Sequence, residues 1–370
     1  MKIINRYRSC INPNETLELI ENIPNFPITA NSVDSLRWDE DLTHDMKWGI
    51  SQSGHIELME LVDPNLIYKH YHNPGTIGKT WKTHHETFYE FIKKDYFFNV
   101  LEIGGSNGRL VDNFCLHSTK FNWSIIEPST QNAPTDRRIE LIEGYFEKHD
   151  FNNQYDTIVH SHVFEHIYDP IPFLNKVYSL LRPNGLHYIS IPNMKHWLDN
   201  GYTNTLFFEH TFYVDEYVIE YLLDQTGFEI IDKKVSDHSI FIRSKKTNTF
   251  SKKVIDFSYI KNLFNKFMIN TKKDTENIKT ELGDSKFYIF GGHIFSQMLF
   301  NLGLDQRNVI CILDNDPHKH YKRLYGTYCL IKPTSVLQND KQPIVVLRGG
   351  AYSNEIKKSI LTINPNAIIL

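Results

Sequence analysis

The sequence is poor in cysteine, in net charge and in long apolar runs. Its 370 residues hold four cysteines, Cys10, Cys115, Cys311 and Cys329. They stand far apart with no CxxC among them, so neither a disulfide framework nor a cysteine-rich metal site is written here. No stretch approaches the roughly 18 to 20 apolar residues that a membrane helix needs. The opening MKIINRYRSC lacks the apolar core, about 7 to 15 residues long, of a secretory signal. The expected location is cytoplasmic, with no membrane partner. Forty basic against 44 acidic residues leave a formal net charge of -4, which offers no electrostatic footprint for nucleic acid. What the chain has in excess is 18 histidines and 13% aromatics, material for polar, ring-lined pockets.

At about 150 residues per domain the length predicts two or three domains. Residues 1–85 are irregular, with turn signals at Asn12-Pro13, Pro27, Asp63-Pro64 and Asn73-Pro74-Gly75. Residues 86–243 alternate helical patterns with the short apolar runs NVLEIG, WSIIEP, RIELIEG, YDTIVHSH and LHYISIP, the pattern of a parallel sheet with crossover helices. Residues 244–283 turn Lys-rich around Ile260, Leu263, Phe264, Phe267 and Met268, a linker with one helix. Residues 284–370 alternate again through KFYIFGG, NVICILD, PIVVLRGG and AIIL.

The sharpest local signal is Asn99-Val-Leu-Glu-Ile-Gly-Gly-Ser-Asn-Gly108. An apolar strand enters a glycine turn, and a helix follows from Arg109. Glycine there lets the backbone approach a ligand at the helix N-terminus. A dinucleotide fingerprint would read GxGxxG, but Ser106 stands at its second glycine. The spacing present is Glu102-x-Gly104-x-x-x-Gly108, with Gly105 and Ser106 inside the turn. Glu127 ends the next strand, where a carboxylate can accept both hydroxyls of a ribose.

This spacing resembles the first motif of class I S-adenosylmethionine (SAM) methyltransferases. Glu143-Gly-Tyr-Phe146 then matches the place where that family packs residues beside the adenine, here Tyr145 and Phe146. Tyr155-Asp-Thr-Ile-Val-His-Ser-His-Val-Phe-Glu-His166 resembles its fourth strand and following helix, and sets His162 beside the cofactor. Leu181-Arg-Pro-Asn-Gly185 resembles the turn before strand five. The resemblance implies SAM as cofactor, held by Glu102, Gly104, Gly105, Ser106, Gly108, Glu127, Tyr145, Phe146 and His162.

The flanks resemble the three-domain sugar C-methyltransferases, which act on nucleotide-linked keto sugars. That family opens with a zinc lobe carrying two CxxC pairs. Here Tyr7-Arg-Ser-Cys10 keeps one cysteine, and Ile50 and Ser53 stand at the second pair. One thiol cannot close a four-ligand zinc shell, so no metal is expected. Tyr71, in Tyr68-Lys-His-Tyr71, matches the family's active-site tyrosine. In Asn204-Thr-Leu-Phe-Phe-Glu-His-Thr-Phe-Tyr213, Glu209 and His210 match its Glu-His pair, while Phe207 replaces a tyrosine. A carboxylate beside an imidazole suits proton removal, and His166 or Tyr71 could support an oxyanion. Phe290-Gly-Gly292, Leu313-Asp-Asn-Asp-Pro-His-Lys319 and Leu324-Tyr-Gly-Thr327 match the family's C-terminal domain.

The implied fold is α/β: a central Rossmann-like class I methyltransferase domain, a small irregular N-terminal lobe and a second Rossmann-like C-terminal domain. The implied activity is C- or O-methylation of a nucleotide-linked sugar or similar phosphorylated small molecule, assisted by a general base. Two other classes stand beside it. An NAD-dependent oxidoreductase of a sugar nucleotide is disfavoured by Ser106; an inactive scaffold is disfavoured by the joint presence of the glycine turn, Glu127 and the Glu-His pair. Nothing in the sequence sets the oligomeric state.

Overall fold

The computed structural model describes residues 1–69, 78–95, 98–106, 108–117, 121–129, 136, 138–250 and 256–370. Each apolar run of the central region forms a strand: β1 (Asn99–Ile103), β2 (Asn122–Glu127), β3 (Ile139–Glu143), β4 (Tyr155–Ser161) and β5 (Leu181–Pro192). Two more, β6 (Phe228–Val235) and β7 (Ser239–Lys246), complete a seven-stranded sheet in the order β6-β7-β5-β4-β1-β2-β3. All pairs are parallel except those of β7, which runs antiparallel to β5 and β6. The strand order reverses between β1 and β4, and such a reversal opens a crevice beyond the strands' carboxyl ends.

The helices α1 (Lys79–Ile92), α2 (Arg109–His117), α3 (Pro170–Leu180), α4 (Met194–Asp199) and α5 (Glu216–Gln225) surround this sheet. Phe88, Phe91 and Ile92 of α1 pack with Val100, Val159, Tyr188 and Phe241 on one face. Phe173, Leu174 and Val177 of α3 and Val218, Ile219 and Leu222 of α5 pack on the other. α5 starts where Asp215 accepts hydrogen bonds from the N–H groups of Tyr217 and Val218, which satisfies two of the donors a helix N-terminus leaves open. α1 begins before residue 86 and β7 runs past residue 243, so both ends of the central region lie inside regular elements.

Before the central sheet, Glu18–Pro27, Thr43–Ile50 and Ile56–Leu58 form a three-stranded antiparallel sheet, and Ile3–Asn5 pairs with Glu60–Val62. At the positions read as eroded zinc ligands, hydrogen bonds hold the chain. Glu15 Oε2 accepts from the N–H of Ser53 at 2.9 Å and from its hydroxyl at 2.8 Å, and Glu15 Oε1 accepts from Asn12 Nδ2 at 2.8 Å.

After it, α6 (Ser258–Leu282) is a 25-residue rod. Buried Ile260, Leu263, Phe264, Phe267, Met268, Thr271, Thr275 and Ile278 recur at three- and four-residue spacing, while Lys261, Lys266, Lys272 and Lys273 face out. Its first half joins the core around Trp48, and Ile278 and Leu282 join the C-terminal core. No helix among the described residues is long and apolar enough to cross a membrane. The closing segment forms a parallel sheet of β8 (Phe287–Phe290), β9 (Val309–Leu313), β10 (Ile331–Lys332), β11 (Ile344–Leu347) and β12 (Ile368–Ile369), in the order β10-β9-β8-β11-β12. The helices α7 (Ile294–Asn301) and α8 (Ser353–Ile363) follow β8 and β11.

Candidate active site

A cavity of about 1060 Å³ opens beyond β1 and β4, and all three parts of the chain line it, from Asn65 and Tyr68 to Asp314 and Tyr352. One end is the glycine turn. Gly104 has φ +71°, and a Cβ there would lie 2.4 Å from Val163 Cγ2. A Cβ on Gly105 would lie 2.9 Å from the Glu102 carboxyl carbon. Glu102 therefore supports the turn from below, its Oε2 accepting the Trp123 indole N–H at 2.8 Å. Burial pushes its carboxyl up to about 7, partly opposed by that indole, with Glu127 and Asp112 adding to the rise. Ser106 adopts φ +46° and turns its N–H onto Glu127 Oε2 at 3.0 Å. Burial raises the Glu127 carboxyl to about 7 against the pull of the Ser106 and Ser129 N–H groups. Gly108 has φ +72° at the entry to α2.

Tyr145 lines the cavity and its hydroxyl donates to Asn65 Oδ1 at 3.3 Å. Phe146 is mostly core, packed on Phe151 and Phe173 with ring centroids 5.6 and 5.0 Å apart. His162, just past β4, has φ +52°, and its Nε2 sits 2.8 Å from Ser239 Oγ. Burial drives its imidazole down to about 3. Trp81, His84 and His238 surround the ring at 5.0, 4.9 and 5.4 Å.

The other end is a carboxylate–imidazole cluster. His166 falls in the single turn Phe164–His166 rather than in a helix; α3 starts only at Pro170. His166 Nδ1 lies 2.9 Å from the Glu209 backbone carbonyl and 3.1 Å from the Tyr68 hydroxyl. A carbonyl can only accept, so Nδ1 carries the proton and Nε2 the lone pair. The same logic holds for His210, whose Nδ1 is 2.9 Å from the Thr205 carbonyl. The His210 ring is thus held by Thr205, while Glu209 holds His166 through its backbone. Burial and the neighbouring His166 keep the His210 imidazole well below its usual range. The two rings are 5.1 Å apart, and the Phe207 ring lies 4.4 Å from that of His210, tilted by 58°. Burial raises the Glu209 carboxyl to about 7.

Two residues at this end were not singled out from sequence. Glu165 is 1% exposed and lies 3.7 Å from His166 Nε2 and 3.5 Å from His162 Nδ1. Burial lifts its carboxyl to about 7, opposed by His166. Tyr68 reaches His166, whereas Tyr71 lies outside the described residues. Both stand inside the motifs quoted from the sequence; Tyr68 is singled out by a contact 98 residues away, and Glu165 by its burial between two imidazoles. At the C-terminal wall, Asp314 accepts the Gly292 N–H at 2.9 Å and Lys319 Nζ at 3.3 Å.

Residues 77–233 match the sequence family described as a methyltransferase domain. No curated protein matches the chain. Among solved structures, the 1,6-didemethyltoxoflavin N1-methyltransferase of Burkholderia thailandensis is 15% identical and aligns over 46% of this chain and 82% of its own, with a TM-score of 0.37. A putative SAM-dependent methyltransferase from Listeria monocytogenes is 13% identical over 44% and 99%, with a TM-score of 0.37. The N-methyltransferase NodS from Bradyrhizobium japonicum is 14% identical over 48% and 98%, with a TM-score of 0.36. The matched stretch holds the glycine turn and strands β1 to β5, so the part of the chain that lines the cavity's glycine end is the part similar to a methyltransferase domain.

Proposed function

We propose that this protein methylates a nucleotide-activated sugar or similar phosphorylated small molecule, at an oxygen or at a carbon beside one. The observation that carries the reading is a single cavity running from the glycine turn to the Glu165–His166–Glu209–His210 cluster. The turn fits SAM, because Gly104 and Gly105 line the cavity and neither has room for a side chain beside Val163 or Glu102, which keeps the backbone there bare. Bound SAM supplies an electrophilic methyl on a sulfonium.

The chain's own residues then have three tasks: place the acceptor in line, take its proton and exclude water. Glu127 and the Ser106 N–H hold the ribose end, with Tyr145 beside the base. Glu209 is the better proton acceptor of the Glu-His pair. A base works best with a pKa near the working pH, and burial holds Glu209 near 7 while pressing His210 far lower. His166 and His210 then face the acceptor's oxygen. Lys319, paired with Asp314, also lines the cavity and is the cation we assign to a phosphorylated tail.

Thermal melts with SAM, S-adenosylhomocysteine and NAD(P) test the cofactor. A ligand at about 100 times its dissociation constant should add roughly 2.7 kcal/mol, with Glu127→Ala weakening the SAM shift. An equal shift with NAD(P), or none with SAM, sinks the reading. Mass spectrometry of products from a panel of nucleotide sugars with SAM tests the acceptor.

A further inference from the structure

We propose that Glu165, His166 and His210 hold a divalent first-row metal ion that binds an oxygen of the methyl acceptor. The proposal deepens the methyl-transfer reading and rests on it for the acceptor, though not for the ion.

The donor set comes first. One carboxylate oxygen of Glu165 and one ring nitrogen each of His166 and His210 all lie within 4.8 Å of one another. All three residues line the cavity. Both imidazoles are oriented by N–H bonds to backbone carbonyls, Glu209 for His166 and Thr205 for His210, at 2.9 Å each. That is the outer hydrogen bond that fixes the ring of a metal-binding histidine.

The second observation is electrostatic. Glu165 Oε2 is buried without a hydrogen-bond partner among the described residues. Its Oε1 faces His166 Nε2 at 3.7 Å, too long for a hydrogen bond. An unmet buried carboxylate oxygen costs about 1–3 kcal/mol or more. An ion resolves this arrangement. Ligand atoms about 2.0–2.2 Å from a zinc-like ion stand roughly 3 to 4 Å apart, so the Glu165–His166 pair already fits and the widest pair needs only a small closure.

The other histidine cluster shows what a self-sufficient network looks like. His84 Nδ1, His162 Nε2 and His238 Nδ1 converge on Ser239 Oγ at 3.1, 2.8 and 2.7 Å. One hydroxyl can donate once and accept twice, so that group closes without a cation.

Two imidazoles with one carboxylate favour zinc, manganese, iron(II) or cobalt over magnesium or calcium, which prefer all-oxygen shells. Three protein ligands leave coordination positions open toward the cavity. An acceptor hydroxyl bound there becomes more acidic, and an enolate oxygen beside a methylated carbon gains a counter-charge. In either case the proton leaves to Glu209, the carboxylate that the ion does not use.

The test uses the full chain, stripped with chelator and titrated with cobalt(II) and manganese(II). The expected results are about one ion per chain, a visible cobalt spectrum, and affinity at least tenfold weaker in Glu165→Gln and His210→Asn. His84→Asn should bind cobalt like wild type. SAM-induced thermal shifts report whether each variant is folded and separate the two readings. A shift with SAM but no stoichiometric ion in wild type overturns the metal site alone. Loss of the ion in His84→Asn with retention in Glu165→Gln places it around Ser239 and overturns the proposal as well. An ion bound as expected without any SAM shift leaves the site standing and removes the methyl-transfer reading.

Discussion

Burial sets the chemistry of single residues here more than pairing does. Glu102, Glu127, Glu165 and Glu209 are all lifted to about 7 with desolvation as the leading cause. For Glu209 this gives a pH prediction with a definite sign. The base must be ionised to accept a proton, so in the metal-free protein kcat/KM should rise as pH increases through about 7 and then level. Glu209→Gln should cut turnover by about 10²- to 10⁴-fold, the usual range for loss of a general base, while SAM affinity holds. A rate flat from pH 5 to 9, or a nearly active glutamine variant, removes Glu209 from that role. Gly104 gives a steric prediction. Alanine there must accept φ +71° and a Cβ 2.4 Å from Val163 Cγ2. The left-handed conformation alone costs about 1–2 kcal/mol. Gly104→Ala should therefore lower stability and the SAM shift together, and adding Val163→Ala should restore only the steric part. A wild-type SAM shift in Gly104→Ala would mean that the turn does not press on the cofactor.

Among the elements, one corner of the N-terminal segment is tied together by Glu15. Burial raises the Glu15 carboxyl, but hydrogen bonds from Ser53, Ser51 and Asn12 outweigh it and bring the group below its ordinary 4.5. A depressed carboxylate stabilises the fold above its unfolded pKa, and that contribution is lost as pH falls through the depressed value. The lobe should thus loosen below about pH 4.5, and Glu15→Gln should flatten that part of the acid-stability curve. Unchanged acid sensitivity in the variant would assign the loosening elsewhere. The strands around the cavity were readable because each is a short apolar run between turn residues, and all five runs of the central region became strands. The glycine turn and Glu127 were readable because their spacing is local. The acceptor end was only half readable. Glu165, Tyr68 and the Thr205 carbonyl meet because β4, the loop after β5 and the N-terminal lobe converge, and no local period encodes that convergence. The Glu-His pair was legible as neighbours, but not that the Thr205 carbonyl holds the His210 ring while the Glu209 carbonyl holds His166. Position 185 and its neighbours read as a turn before strand five, yet β5 already starts at Leu181, with Asn184 at φ +62° where the register to β4 shifts.

The whole molecule encloses its cavity by joining its first and last parts, and one buried ion pair dominates that seam. Ser32–Val33 pairs antiparallel with Arg323–Leu324, and Gln297 Nε2 donates to the carbonyls of Thr29 and Tyr325 at 2.8 Å each. Arg323, 1% exposed, forks onto both carboxylate oxygens of Asp41 and also donates to the carbonyls of Ser35 and Thr327. The Gly326 N–H adds a bond to Asp41 at 2.6 Å. Removing one member of such a pair leaves the other charge buried and uncompensated, which costs about 3–5 kcal/mol, whereas replacing both by apolar residues is far milder. Asp41→Asn should therefore lower the urea midpoint, and Asp41→Leu with Arg323→Met should recover much of the loss. The cavity gives the same pair a functional readout. Asn31 lies on one side of the seam, Asp314 and Lys319 on the other, and all three line the cavity, while the glycine turn belongs to the central sheet. Asp41→Asn should then weaken acceptor binding more than SAM binding, because the acceptor wall is what the seam holds in place. Equal losses for both ligands, or a double variant as unstable as the single one, would show that the seam carries neither the stability nor the shape of the acceptor wall.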